Sequence, residues 1–376
     1  MATFVRLFTK RFFILFTIGV VLVYLLACLN VLLSPARYWF ISILGIGFPF
    51  LLITVLVLLV FWIFFKSRWA FLPLGALLLS FFNIKALIGF HPGETFQSKK
   101  KTEHIRLLSW NVKWFDEQKK DNKAQRSRRR EMLDFIRQQE ADVLCFQEFL
   151  ATNIAGGLYD NIQEISDMGY PYHYFVGDYI KRNGRNIAGA IIFSRLPIAD
   201  TMHWQYKGDK KERAAESLLA ADLVFGNDTF RVFTTHLQSV LLQKNDYRNI
   251  SIIRNAEDSM MEASKSILKK LRNGYRFRGG QAEMARTLLD ESPHPALICG
   301  DFNDVPNSYT YFTIRGDRQD AFLAAGWGLG RTYGDLSNTL RIDYILPSTD
   351  FEVVAFRRSG LPYSDHYPIL ADLRLQ

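Results

Sequence analysis

Leu297-Ile298-Cys299-Gly300-Asp301-Phe302-Asn303 is the stretch that decides the fold. Three apolar residues run into a glycine, then a carboxylate, with a carboxamide two residues further on. A short apolar run bounded by a turn signal reads as a buried strand. A strand that ends on Asp and Asn delivers hard oxygen ligands and hydrogen-bonding groups to the edge of a sheet, where α/β folds build their sites.

The same pattern recurs on both sides of this stretch. Leu107-Leu108-Ser109-Trp110 stops at Asn111, and Val143-Leu144-Cys145-Phe146 stops at Gln147-Glu148. Val232-Phe233-Thr234-Thr235 stops at His236, Arg341-Ile342 leads into Asp343, and Ser364 leads into Asp365-His366. Strands are expected over Ile105–Trp110, Val143–Phe146, Ala190–Phe193, Phe230–Thr234, Ala296–Cys299, Ile342–Leu346 and Tyr367–Leu373. Between them Met132, Phe135 and Ile136, and then Met260, Ala263, Ile267 and Leu271, recur at helical spacing. Strands and helices in mixed order indicate an α/β domain with largely buried sheets. If the strands share an edge, their polar ends converge on one cleft.

The N-terminal quarter is different in kind. Residues 1–90 contain no Asp, Glu or His. Phe12–Leu33 and Phe40–Phe65 are apolar stretches long enough to span a bilayer core, which needs roughly 20 helical residues. Trp69–Phe90 is a third candidate, interrupted by Pro73, Asn83 and Lys85. The first stretch is too long for a cleaved signal peptide and is followed at once by another span. The expected organisation is a transmembrane region over 1–90 with helices at 12–33, 40–65 and 69–90, a polar linker over 91–103, and a soluble domain over 104–376. Arg6, Lys10, Arg11, Lys66 and Arg68 fall on one side of alternating spans, so the positive-inside rule places the N-terminus in the cytoplasm. Three spans then put the soluble domain outside, in the periplasm if the membrane is a bacterial inner membrane; two spans would leave it in the cytoplasm.

The formal net charge of +9 belongs mostly to this region, whose seven Lys and Arg residues leave the rest of the chain only slightly basic. The high pI is therefore not a nucleic-acid footprint. Cys28, Cys145 and Cys299 are scattered in apolar segments and suggest neither a disulfide framework nor a zinc site.

Taken in order, Leu108-Ser109-Trp110-Asn111, Phe146-Gln147-Glu148, Ile192-Phe193-Ser194-Arg195, Thr235-His236-Leu237, Gly300-Asp301-Phe302-Asn303, Arg341-Ile342-Asp343-Tyr344-Ile345 and Ser364-Asp365-His366-Tyr367-Pro368 resemble the endonuclease/exonuclease/phosphatase (DNase I-like) superfamily. The resemblance covers residues 104–376. It implies a four-layer α/β sandwich, two packed β-sheets flanked by helices. It also implies roles. Glu148 resembles the principal metal carboxylate, with Asn111 beside it and Asp365 as a further ligand, for Mg²⁺ or Mn²⁺. Asp301 and Asn303 resemble the pair that orients the attacking water and holds the phosphate. His366 resembles the active-site histidine, Asp343 its carboxylate partner, and His236 a second phosphate-contacting histidine. Arg195 is expected to support the fold.

The expected activity is metal-dependent hydrolysis of a phosphate ester, more specifically a diester. Thr235-His236-Leu237 resembles the sphingomyelinase, phosphatase and DNase I side of the superfamily more than the abasic-site endonucleases. A membrane-tethered site meets headgroups at high effective concentration, so a phospholipid or sphingolipid headgroup leads as substrate and the bilayer as partner. An extracytoplasmic nuclease or nucleotide phosphatase is the alternative enzyme, and an inactive membrane-bound interaction protein the alternative class. The basic runs Lys119–Arg130 and Lys207–Arg213 read as solvated segments or as a rim for anionic substrates.

Overall fold

The structure is a computed structural model. It describes residues 2–65, 67–91, 96–97, 99–116, 123–152, 160–181, 186–206, 215–240, 260–334, 337, 339–361 and 363–376.

The chain opens with helices α1 (Ala2–Cys28) and α2 (Pro35–Phe64), followed by the shorter α3 (Phe71–Leu79) and α4 (Phe81–Leu87). Within 2–64 the spans Leu7–Val31 and Pro35–Phe64 are long and apolar enough to cross a membrane. The third stretch is bent by 62° at Ser80, and counts as a further span if the bent pair is one. Helices α1 and α2 pack antiparallel: Phe13 stacks on Phe61, Tyr24 on Phe48, and Trp62 Nε1 donates to Thr17 Oγ1 at 2.9 Å. Their outer faces, with Phe12, Leu15, Phe50, Ile53, Val57 and Val60, stay exposed.

The remainder is a four-layer sandwich. One sheet has the order β12-β13-β2-β3-β5-β4, formed by Phe351–Arg358, Ile369–Leu375, Ile105–Asn111, Val143–Thr152, Asn186–Ser194 and Tyr172–Lys181. The other has the order β11-β9-β8-β7-β6, formed by Asp343–Pro347, Ala296–Asp301, Asp228–His236, Glu216–Phe225 and Ile198–Trp204. Only β2 with β3 and β8 with β9 pair in parallel among these neighbours. The expected strands are all present. Every second residue along a strand turns to the same face, and here both faces are buried. Leu107, Cys145 and Ile192 meet Leu219, Val232 and Cys299 between the sheets. Leu108, Trp110 and Phe146 turn outward against Met132 and Ile136 of α5 (Lys123–Gln138), in a layer that Ile165 of the short α6 (Asn161–Ser166) joins. On the far side Phe233 and Ile298 pack against Ala282 and Leu289 of α7 (Met260–Asp290) and Tyr311 of α8 (Tyr309–Arg315). Each such fully buried large side chain contributes roughly 1.5–3 kcal/mol relative to exposure. Cys145 and Cys299 lie buried in this core and are unbridged.

The chain meets the sandwich before the expected linker. Ala86 of α4 is buried in the layer beneath α7, and β1 (Gly89–Phe90) pairs antiparallel with β10 (Trp327–Gly328).

Candidate active site

Strand register assembles most of the site. Asp343 on β11 lies opposite Asp301 on β9, Asp301 lies beside His236 on β8, and His236 lies opposite Glu216 on β7. Four ionisable residues thus form one line across four adjacent strands. Gly300 makes the approach of β9 to β8 possible. Its φ is +134°, and a Cβ there would sit 2.0 Å from the Thr235 carbonyl oxygen. No residue with a side chain fits that conformation and contact.

The other sheet contributes from across the cleft. Asn111 ends β2 beside Gln147 on β3. Beyond Gln147 the pairing of β3 with β5 shifts between Phe146 and Phe149, and Glu148 adopts φ +49°. This bulge interrupts the alternation of the strand, as bulges beside active sites commonly do. A second shift, between Glu216 and Leu219 on β7, frees Glu216 at the strand's start. The two irregularities meet: Glu148 N–H donates to both carboxylate oxygens of Glu216, at 3.1 and 3.0 Å.

Asp301 is the hub. Its Oδ2 accepts from Asn111 Nδ2 at 3.2 Å and lies 3.6 Å from Nε2 of both His236 and His366. Its Oδ1 accepts from Asn303 N–H at 2.8 Å, which holds Asn303 in a left-handed turn at φ +52°. Asn303 Nδ2 donates to the Leu237 carbonyl at 3.0 Å. Each histidine has a carboxylate behind it. His366 Nδ1 is hydrogen-bonded to Asp343 Oδ2 at 3.0 Å, whereas His236 Nδ1 lies 3.4 Å from Glu216 Oε2 as a looser ion-pair contact, with no hydrogen bond among the described residues. Such partners fix ring orientation and present Nε2 forward. Trp110 Nε1 donates to the His366 carbonyl at 2.9 Å, and Tyr333 packs edge-on against the His366 ring.

Electrostatics follow from this packing. Burial alone would favour neutral His366, but Asp343 and Asp301 outweigh it and push the ring up to about 10. Burial is likewise outweighed at His236, where Glu216, Asp301 and Glu148 push it up to about 9. Burial pushes the Glu148 carboxyl up to about 7, against the opposing pull of His236. Burial also raises Asp343. Asp365 goes the other way: burial raises it, but His366 and Lys113 together hold it below its ordinary value.

The donor set fits a divalent cation. Glu148 Oε1 accepts from Asn111 Nδ2 at 3.3 Å, whereas the buried Glu148 Oε2 has no hydrogen-bond partner among the described residues. A buried carboxylate oxygen without a partner is costly, and a cation is the natural complement. Asp301, Asp343 and His366 can also bring one ligand atom each to within 4.8 Å of one another.

Seven of the eight expected site residues, Asn111, Glu148, His236, Asp301, Asn303, Asp343 and His366, are therefore gathered here. Asp365 lies at the edge, its Oδ2 held by Lys113 Nζ at 2.6 Å. Two participants went unrecognised in the sequence, Glu216 and Lys113. Glu216 precedes an Ala- and Leu-rich strand with no motif around it, while Lys113 lies two residues beyond a motif end and was within reach of a wider window. Of the basic runs, residues 117–122 and 207–214 lie outside the described residues. Arg129 is buried against Asn161 rather than lining a rim. Arg195 stacks on Tyr170, in a supporting place.

Residues 108–366 match the endonuclease/exonuclease/phosphatase family, and residues 10–87 separately match a domain of unknown function. The chain belongs to the endonuclease/exonuclease/phosphatase family. It is a phosphoester hydrolase of a family in which divalent-metal dependence is general. No curated protein matches it. Similar solved structures include an endonuclease/exonuclease/phosphatase from Beutenbergia cavernae, at 18% identity and TM-score 0.49, covering 72% of each chain. The human Nocturnin catalytic domain with bound sulfate also has 18% identity and TM-score 0.49, covering 73% of this chain and 95% of that one. An endonuclease/exonuclease/phosphatase from Bacteroides vulgatus has 18% identity and TM-score 0.48, covering 73% and 99%.

Proposed function

We propose that this chain is a membrane-anchored, Mg²⁺- or Mn²⁺-dependent phosphodiesterase acting on a lipid headgroup. The observation that carries the hydrolytic reading is the placement of two carboxylate-backed histidines around one carboxylate, with Glu148 Oε2 left for a cation. A cation held by Glu148 and Asn111 would neutralise phosphate oxygens and lower the pKa of an attacking water. Asp365 joins that set only by exchanging Lys113. Because their carboxylate neighbours raise both rings, His366 and His236 are suited to donate to phosphate oxygens rather than to take a proton. Asp301 Oδ2 accepts a hydrogen bond from Asn111 Nδ2 and lies 3.6 Å from both Nε2 atoms, so it has a lone pair open to take the proton of the water that Asn303 helps to orient. Each carboxylate partner keeps its ring in place during this transfer.

The helical region supports the membrane reading. The α1–α2 connection faces the sandwich, because Asn30, Pro35 and Gly45 all contact it. Lys10, Arg11 and Arg68 then lie toward the opposite end of the helical unit. With the positive-inside rule, this favours a cytoplasmic N-terminus and an extracytoplasmic catalytic domain. The exposed Phe90, just past the end of α4, forms a T-shaped pair at 6.4 Å with the exposed Trp327 of β10, and aromatic side chains at such a place suit a membrane–water interface.

The test is Mg²⁺-dependent product release by the detergent-purified full-length protein. Phospholipid and sphingomyelin liposomes are compared with plasmid DNA, with His366→Ala as blank. Lipid turnover lost in the variant supports the proposal. Preferential cleavage of DNA overturns the substrate and leaves a membrane-tethered nuclease.

A further inference from the structure

Asp301 ends β9, and the loop that follows it carries Asn303 and runs on to Asn307, which is buried among the N-terminal helices. Its Oδ1 accepts from Asn83 Nδ2 of α4 at 2.7 Å. Its Nδ2 donates to the Ala27 carbonyl at the end of α1, at 3.0 Å. Its own carbonyl accepts from Asn30 Nδ2 at 2.6 Å. Asn83 Nδ2 also reaches the Cys28 carbonyl at 3.1 Å, so one carboxamide pair joins α1, α4 and the loop. Helix α2 closes the fourth side through Gly45, where a Cβ would lie 2.6 Å from the Asn307 carbonyl oxygen.

The carbonyls used at Ala27 and Cys28 belong to the last turn of α1, where helical carbonyls lack partners within the helix. A buried carboxamide that satisfies them defines one position, since a displaced one leaves several polar atoms without partners. A second strand of the site is tied to the same helices. Arg341, two residues before Asp343, is buried, donates to the Ala86 carbonyl at 2.6 Å and pairs with Asp320 at the same distance. The near end of the loop is held within the sandwich, by Phe302 N–H on the Ile342 carbonyl and by Asp304 on Arg278 and Thr310. The far end is held by the helices.

We propose that the N-terminal helical unit is a positioning part of the active centre: the Asn30–Asn83–Asn307 cluster sets the loop that follows Asp301 and presents Asn303. This rests on the reading of those two residues as site residues. Asn83 and Asn307 are then positioning residues, acting through the loop and not on the substrate. Because the sandwich holds the near end independently, their loss weakens the site without dismantling it.

The experiment uses the full-length protein in detergent with Asn83→Ala, the milder Asn83→Ser, Asn307→Ala, and Tyr24→Phe as control. Tyr24 makes an equally buried hydrogen bond to Ser80 inside the helical unit and, among the described residues, none to the loop. Amide hydrogen exchange of residues 300–308 and Mn²⁺-dependent hydrolysis of bis(p-nitrophenyl) phosphate are measured together. The expected result is exchange accelerated about tenfold or more in that segment, with kcat lowered at least about tenfold and KM little changed, in the Asn83 and Asn307 variants alone. Unchanged exchange in both Asn83 variants overturns the proposal, as does an equal effect of Tyr24→Phe. Accelerated exchange with full activity also overturns it, provided Asp301→Asn is inactive. If Asp301→Asn is active too, the reading of the site is what has failed.

Discussion

Glu148 and Glu216 belong to different sheets, yet the main-chain N–H of the first donates to both carboxylate oxygens of the second. A carboxylate that grips the backbone of the proposed metal ligand and also lies behind His236 bears on two candidate site residues at once. Glu216→Ala removes both supports and leaves the Glu148 N–H unpaired. Supporting residues of this kind are typically worth 10–100-fold in metal affinity or activity. Isothermal titration with Mn²⁺ is expected to show a loss in that range. Affinity within twofold of the parent would show that the bulge holds Glu148 without Glu216.

The raised pKa of Glu148 makes a prediction for the metal-free protein. The unfolded carboxyl ionises near 4.5 and the folded one near 7, so between these values the folded state binds the extra proton. Stability therefore falls as pH rises through that window, by roughly 3 kcal/mol in all. His236 and His366 are also raised and add a further fall as pH rises from about 6.5 through 9 and 10. Denaturant unfolding in EDTA between pH 5 and 7 is expected to show the decline, and Glu148→Gln to flatten it. Mg²⁺, which needs the ionised carboxylate, is expected to stabilise more at pH 8 than at pH 5.

Asp343→Asn keeps the shape of the His366 partner but removes its charge. The ring loses the strongest of the three carboxylate influences that raise it, Asp343 ahead of Asp301 and Asp365, and its orientation is no longer fixed by an anion. The kcat for diester hydrolysis is expected to fall by about 10²-fold or more, and the alkaline limb of the pH–rate profile to move to lower pH. A profile that keeps its limb while kcat falls would assign that limb to another group.

Gly300→Ala tests the strand contact on which the row of site residues depends. The added methyl meets the Thr235 carbonyl oxygen at a distance no atom pair tolerates, and its backbone is left in a strained conformation. A loss of more than about 3 kcal/mol is expected, large for a single methyl and attributable to overpacking plus strain. Thermal unfolding measures it directly.

Much of this arrangement was legible in the sequence because strand ends advertise themselves: the apolar runs stopping at Asn111, His236 and Asp301 end strands β2, β8 and β9, and Asp343 opens β11. What escaped did so for physical reasons. Strand β6 (Ile198–Trp204) lies at a sheet edge and is only partly buried, so it lacks a continuous apolar run. Strand β7 is buried, but Leu218-Leu219-Ala220-Ala221 carries residues of high helix propensity, and tertiary pairing overrides that preference. The run Val143–Phe146 was expected to end before Glu148, whereas β3 continues through the bulge to Thr152, because a bulge breaks periodicity without ending a strand. Asn83 reads as an interruption of an apolar stretch, and Asn30 is submerged in the apolar run Phe12–Leu33. Their partner, Asn307, lies more than 200 residues away, and no local pattern announces it.

The row formed by Asp343, Asp301, His236 and Glu216 has a consequence for how this protein fails. The side-chain repeat of a strand is two, so a slip of one residue between β8 and β9 turns Asp301 from the cleft to the opposite face. Hydrogen bonds would re-form along the ladder, and a bulk measure of strand content would change little. Catalysis is in this sense a proofreading signal for the sheet: turnover reports that four strands have paired in their proper alignment. A preparation with full secondary structure and no activity would be the expected signature of misregistered chains.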